Sequence, residues 1–204
     1  MNLKKINPNL QKALVENGLT QANEMQIETF STIKSGADAV IQSPKGTGKT
    51  TTIVLNVIQR LERTVGESTR ALIMVESKEK VLEMEELFLK YANYHDLSIL
   101  GVHDKGDIDY DKNIISLGLD ILIGTPNRIN ALFSSAGFNA STIRMFVVDD
   151  ADILFKNRVD AIVLRLSMSI EKTQRLFFCS EIIERVETLA DKVMIEPLFF
   201  EMEA

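Results

Sequence analysis

A short loop between two apolar segments limits what this chain can fold into. It reads Ser43-Pro44-Lys45-Gly46-Thr47-Gly48-Lys49-Thr50. The apolar run Ala39-Val40-Ile41 leads into it, and Ile53, Val54, Val57, Ile58 and Leu61 leave it at the spacing of one helix face. The segment therefore reads strand, loop, helix. Gly46 and Gly48 let the backbone curl so that successive N–H groups converge on one concavity. The helix N-terminus behind them adds partial positive charge. Lys49 stands where an ammonium reaches β- and γ-phosphates, and Thr50 where a hydroxyl sits on Mg²⁺. The generic phosphate loop has glycine where this chain has Ser43. A glycine-rich turn with an ordinary helix cap is the plainer alternative.

Around this loop, strand-like and helix-like segments alternate almost to the end. Helix patterns cover about 9–17, ending at Gly18, and 23–34, ending at Gly36, with Asn23 as N-cap and Gln26 at the capping-box position. After the loop and its helix, to about Arg63, the apolar run Ala71–Val75 has the length of a central parallel strand. An acidic helix over 78–94 and a strand over 97–102 follow. The polar stretch 103–113 reads as a loop, and 120–124 as a strand with Pro126 opening the next helix. Strands at 143–148, 175–179 and 198–200 alternate with helices near 159–170 and 182–191. This βαβα order predicts an α/β, three-layer, doubly wound parallel sheet. Ligands of such sheets lie at the carboxyl ends of the strands.

The 204 residues suffice for a sizeable core, and a composition of 45% hydrophobic and 25% charged residues is that of an ordinary globular chain. No apolar run approaches the roughly eighteen residues of a membrane span, and the N-terminus lacks a signal-peptide core. Cys179 is alone, so no internal disulfide forms, which fits a reducing, cytoplasmic setting. One cysteine with His95 and His103 does not make a usual zinc site. The formal charge of -6 argues against a protein that coats nucleic acid, but not against a local groove that grips a few phosphates.

The second chemical feature follows the apolar strand Met145-Phe146-Val147-Val148, which delivers Asp149 and Asp150 to its carboxyl end. In phosphate-loop NTPases an acid in this place holds the Mg²⁺ shell. Asp149 suits that role, and Asp150 the handling of the attacking water. An acidic turn that only caps a helix is the competing account.

Taken together, these segments resemble the first RecA-like domain of the DEAD-box RNA helicases, over nearly the whole sequence. The family's own loop, Ala-x-x-Gly-x-Gly-Lys-Thr, also lacks the first generic glycine, which accounts for Ser43. The resemblance implies an RecA-like P-loop NTPase fold with ATP and Mg²⁺ as ligands. Ser43, Lys45, Gly46, Thr47, Gly48, Lys49 and Thr50 would cradle the phosphates, with the metal on Thr50 and Asp149. The segment from Asn17-Gly18-Leu19 to Met25-Gln26 resembles the adenine-recognition segment, so Gln26 is assigned the base. Ala22-Asn23 stands where the family has Pro-Thr. Thr125-Pro126-Asn127-Arg128 resembles Thr-Pro-Gly-Arg, which implies RNA contacts by Thr125 and Arg128. Lys78 falls at the Arg of Pro-Thr-Arg-Glu-Leu-Ala, another RNA contact.

Two departures concern turnover. Asp149-Asp150-Ala151-Asp152 replaces Asp-Glu-Ala-Asp, and Cys179-Ser180-Glu181 replaces Ser-Ala-Thr. The implied function is the ATP-binding half of an ATP-dependent RNA helicase, with Lys49, Asp149 and Asp150 as its catalytic groups. The alternative is a nucleotide- or RNA-binding scaffold with impaired catalysis. An unrelated phosphate-loop enzyme, such as a small kinase, has no reason to combine Gln26, Thr125–Arg128 and the Asp149 tetrad. Residues 1–204 are expected to form one monomeric domain. The second RecA-like domain that the family needs for hydrolysis is expected to lie outside these residues.

Overall fold

The computed structural model describes residues 1–203. Two helices, α1 (Pro8–Glu16) and α2 (Glu24–Ser35), precede β1 (Ala39–Gln42) and α3 (Lys49–Leu61). Then come β2 (Ala71–Met74), α4 (Lys78–Tyr91), β3 (Ile99–Val102), α5 (Ile108–Ser116), β4 (Ile121–Gly124) and α6 (Pro126–Ser134). The chain continues through β5 (Met145–Val148), α7 (Ala151–Lys156), α8 (Asp160–Ser169), β6 (Gln174–Cys179), α9 (Glu184–Val193) and β7 (Leu198–Glu201). The strands form one seven-stranded sheet in the order β3-β4-β2-β5-β6-β1-β7, and every neighbouring pair is parallel. This is the expected doubly wound α/β architecture. No helix among the described residues is long and apolar enough to cross a membrane.

The continuous apolar runs split by period two, because successive strand side chains point to opposite faces. Ala39, Ile41, Ala71, Ile73, Ile121, Ile123, Met145 and Val147 pack with residues of α1–α4, such as Leu14, Phe30, Ile53, Leu55 and Phe88. Val40, Leu72, Leu122, Phe146, Val148 and Phe177 pack with Ile129, Phe155, Val163, Leu166 and Val186 of α6–α9. The central strands β2, β4, β5 and β6 are buried on both faces, whereas the edge strand β7 is largely exposed. Burial on both faces explains why the periodicity of the central strands is hidden in the sequence.

Helix starts follow local hydrogen bonding. The Asn23 side chain accepts from the Gln26 N–H while the Gln26 carbonyl accepts from the Asn23 N–H, the expected capping box. Gly36 ends α2 in the left-handed region, at φ 89°. Two elements differ from the sequence-based expectation. Part of the stretch expected as loop is α5, because Asp107 Oδ1 accepts from the Asp109 and Tyr110 N–H groups and nucleates a turn. The short α7 also forms, directly after Asp150, which turns the chain with φ 49°.

Candidate functional site

Parallel pairing puts the loops after β1, β2, β4, β5 and β6 at one edge of the sheet. The loop after β1 is shaped by Gly46 and Gly48, with φ 80° and 86°, a region only glycine enters without strain. Its hydroxyls brace it: Ser43 Oγ and Thr47 Oγ1 lie 2.7 Å apart, and Thr47 Oγ1 donates to the Pro44 carbonyl at 2.7 Å. Asn23 Nδ2 donates to the Thr47 carbonyl at 2.8 Å, so the N-terminal helix pair holds the loop from behind. Gly48 precedes α3 and supplies no side-chain cap. The first N–H groups of α3 are thus left for another acceptor.

Lys49 is 7% exposed, and its ammonium donates to the carbonyls of Ser43 (2.7 Å) and Pro44 (3.0 Å) and to Ser180 Oγ (3.3 Å). It lies at the floor of a cleft of about 360 Å³ lined also by Lys45, Gly46, Thr50, Asp149 and Asp150. The loop and the acids expected to meet therefore do meet. Thr50 Oγ1 donates to Asp149 Oδ2 at 3.3 Å, and Asp149 Oδ1 accepts from the Asp150 N–H at 2.9 Å. Octahedral Mg²⁺ binds oxygens at about 2.0–2.1 Å, which places adjacent ligands about 3 Å apart. The Thr50 and Asp149 oxygens suit two such corners. Among the described residues no three His, Cys, Asp or Glu side chains gather to hold a metal. A cation held there by these two oxygens would have to complete its shell with waters or phosphate oxygens.

Burial dominates the electrostatics of Asp149. Removal from water raises its pKa to about 7, and the neighbouring Asp150 charge raises it too, against the Asp150 N–H, Lys80 and Lys49. The Cys179 thiol, buried in β6, is pushed up to about 12, so it is an inert filler at this edge.

Four further side chains belong to the site: Ser180, known from the sequence only as part of the segment standing for Ser-Ala-Thr, and Glu76, Lys80 and Glu83. Ser180 follows β6, accepts from Lys49, and its N–H donates to Asp152 Oδ1 at 3.3 Å. Glu76 and Lys80, around the start of α4, line the cleft wall with Glu83. Their one signal in the sequence is position: each follows a strand that ends at this edge. Partial burial opposes the Lys80 charge, but Glu83, Asp150 and Asp149 outweigh it and raise its pKa.

The other expected residues fall outside the cleft lining. Gln26 is 5% exposed, and its Nε2 donates to Thr52 Oγ1 at 3.2 Å while its carbonyl closes the capping box. Lys78 opens α4 after β2, and Thr125 precedes α6 after the adjacent β4. Thr125 Oγ1 donates to Asp104 Oδ1 at 3.3 Å. Arg128 is 7% exposed and turned inward, donating to the carbonyls of Gly106 (2.6 Å) and Asp104 (3.4 Å), with Asp111 at 3.4 Å. Burial raises the Asp111 pKa even against that guanidinium.

A parallel sheet with a glycine loop, a lysine and an acid-ended neighbouring strand at one edge defines a RecA-like phosphate-loop domain. The chain belongs to the DEAD/DEAH box helicase family, whose model matches residues 23–187. It is 27% identical to the ATP-dependent RNA helicase eIF4A of Meyerozyma guilliermondii, over 97% of this chain and 49% of that protein. The Debaryomyces hansenii eIF4A is 28% identical over the same shares. The Saccharomyces cerevisiae ATP-dependent RNA helicase HCA4 is 32% identical over 88% of this chain and 24% of its own length. The chain thus spans about half or less of the curated relatives it matches.

Proposed function

We propose that this chain is the ATP-binding half of an ATP-dependent RNA helicase, acting in the cytoplasm with a second RecA-like domain. The observation that carries the reading is the convergence of Lys49, Thr50 and Asp149 on one cleft beneath an uncapped helix N-terminus. The loop N–H groups and Lys49 hold the phosphates. To do so, Lys49 exchanges its loop carbonyls for phosphate oxygens, a stronger charge-assisted bond. Thr50 and Asp149 hold Mg²⁺, which when bound neutralises charge on the transferred phosphoryl group. Asp150 stands beside them to position or deprotonate water. Gln26 keeps one N–H and one carbonyl lone pair beyond its structural bonds, enough for an adenine edge.

The RNA half of the reading rests on the edge formed by Lys78 and Thr125, which open helices after adjacent strands. An RNA contact by Arg128 has to use N–H groups left over from Asp104, Gly106 and Asp111.

The test is binding of a fluorescent non-hydrolysable ATP analogue with Mg²⁺. Wild type binds, and Lys49→Ala loses at least about tenfold in affinity, since a buried charge-assisted contact is worth roughly 1.5–3 kcal/mol. Equal affinity in both proteins would remove the phosphate site from its assigned place.

A further inference from the structure

The cleft has two walls of different origin. One is the loop with Lys45 and Lys49; the other is the start of α4. Ser77 caps that helix by accepting from the Lys80 N–H at 3.3 Å. The cap fixes which face of the first turns looks toward the cleft. Lys80 and Glu83, three residues apart, share one face of α4, Glu76 precedes the cap, and all three line the cleft with Thr50, Asp149 and Asp150. The cleft lining holds three lysines against four carboxylates, and Lys80 is its one cation outside the phosphate loop.

The loop and Lys49 suffice to hold a diphosphate. In the nucleotide-binding reading a third phosphoryl group would lie toward Thr50, Asp149 and Asp150, a region whose protein charge is otherwise negative. Lys80 borders that region. Its ammonium lies 3.5 Å from Glu83 Oε2, with side chains 33% and 52% exposed. Such a long, half-solvated pair contributes little, so it leaves the lysine free to turn toward a stronger anion.

Resting on the nucleotide-binding reading above, we propose that Lys80 is a direct contact to the terminal phosphate of a nucleoside triphosphate. It reaches that phosphate from the wall opposite the phosphate loop and makes the cleft discriminate tri- from diphosphate. Glu83 is its resting partner, and nucleotide binding exchanges that carboxylate for a phosphate oxygen.

The experiment compares Mg²⁺-dependent binding of a non-hydrolysable ATP analogue and of ADP by wild type, Lys80→Met, Lys80→Arg, Glu83→Gln and Lys49→Ala. Denaturation midpoints accompany each protein. Lys80→Met should weaken the ATP analogue about tenfold and ADP by less than about twofold, as expected for one lost charge-assisted contact. Lys80→Arg restores the preference, and Glu83→Gln keeps or sharpens it. Equal weakening of both nucleotides by Lys80→Met, or no weakening of either, overturns the role of Lys80. So does a Glu83→Gln protein that loses its preference, a variant that decides the matter even if Lys80→Met folds poorly. With Lys49→Ala still defective, those outcomes leave the phosphate site standing. Wild type that binds neither nucleotide overturns the site and the inference together.

Discussion

Asp149 is set against its own environment. It is 2% exposed, keeps two hydrogen bonds, and shares the strand end with a second carboxylate. Its pKa of about 7 lies well above the ordinary carboxylate value, so the folded protein binds a proton there that the unfolded chain has released. The stability this proton brings is full below about pH 4, the unfolded value, and is lost as pH rises through about 7. Asp149→Asn should flatten that decline and raise the urea midpoint at pH 8 above wild type, while abolishing Mg²⁺-dependent nucleotide binding. A variant less stable than wild type at pH 8 would show that the charge is already well compensated. Lys49, Thr50 and Asp149 could be found in the sequence because their residue types are dense within one strand–loop–helix unit and one strand end. Lys80 could not, and Ser180 only as a member of the segment standing for Ser-Ala-Thr, since only the packing of α4 and β6 against this edge gives them a contact. Nor could the left-handed backbone of Asp150, although aspartate enters that region more readily than most residues.

The amino ends of the strands depend on one residue before β4. Asp120 is 1% exposed and accepts from Arg70 (2.8 Å), Thr64 Oγ1 (2.6 Å), the Ser98 N–H (2.9 Å) and Ser98 Oγ (3.0 Å). It ties the segments that enter β2, β3 and β4. Burial works to raise its pKa, but the bonds from Arg70, Ser98 and Thr64 prevail and lower it. Its contribution is therefore present above the unfolded carboxylate value and lost as pH falls through the still lower folded value. Asp120→Asn should cost on the order of 3 kcal/mol at pH 7, the scale for leaving a buried cation without its partner. The gap should narrow at an acid pH below the ordinary carboxylate value, as the wild-type carboxyl begins to take up its proton. A gap of the same size at both pH values would show that shape, not charge, holds this corner. Most elements were legible because runs such as Ala71–Val75 and Met145–Val148 are long, apolar and bounded by polar turns. α5 was not, because its polar surface hides the contribution of Ile108 and Ile115 to the core, and its cap is an aspartate among aspartates.

At the scale of the whole molecule, the cleft is one-sided. Its lining comes from the carboxyl edge of a single sheet, and the relatives it matches carry at least as much chain again. Phosphoryl transfer depends on cations that meet charge developing in the transition state, and an arginine brought from outside the site can supply roughly 10³–10⁵ in rate. In the proposed reading those arginines belong to a second RecA-like domain. In the same reading Asp150 would add a second deficit, since it is one methylene shorter than glutamate, and a misplacement near 1 Å can cost on the order of 100-fold. The two deficits separate experimentally. Single-turnover hydrolysis by the 204-residue chain should be slow and unresponsive to RNA, although the nucleotide binds. If the outside cations limit the rate, Asp150→Glu should change it by less than about tenfold, well short of a full repositioning effect. A rise near 100-fold would place the defect in the reach of the base. Robust RNA-stimulated turnover by the wild-type chain would mean that the one-sided cleft already holds every charge the reaction requires.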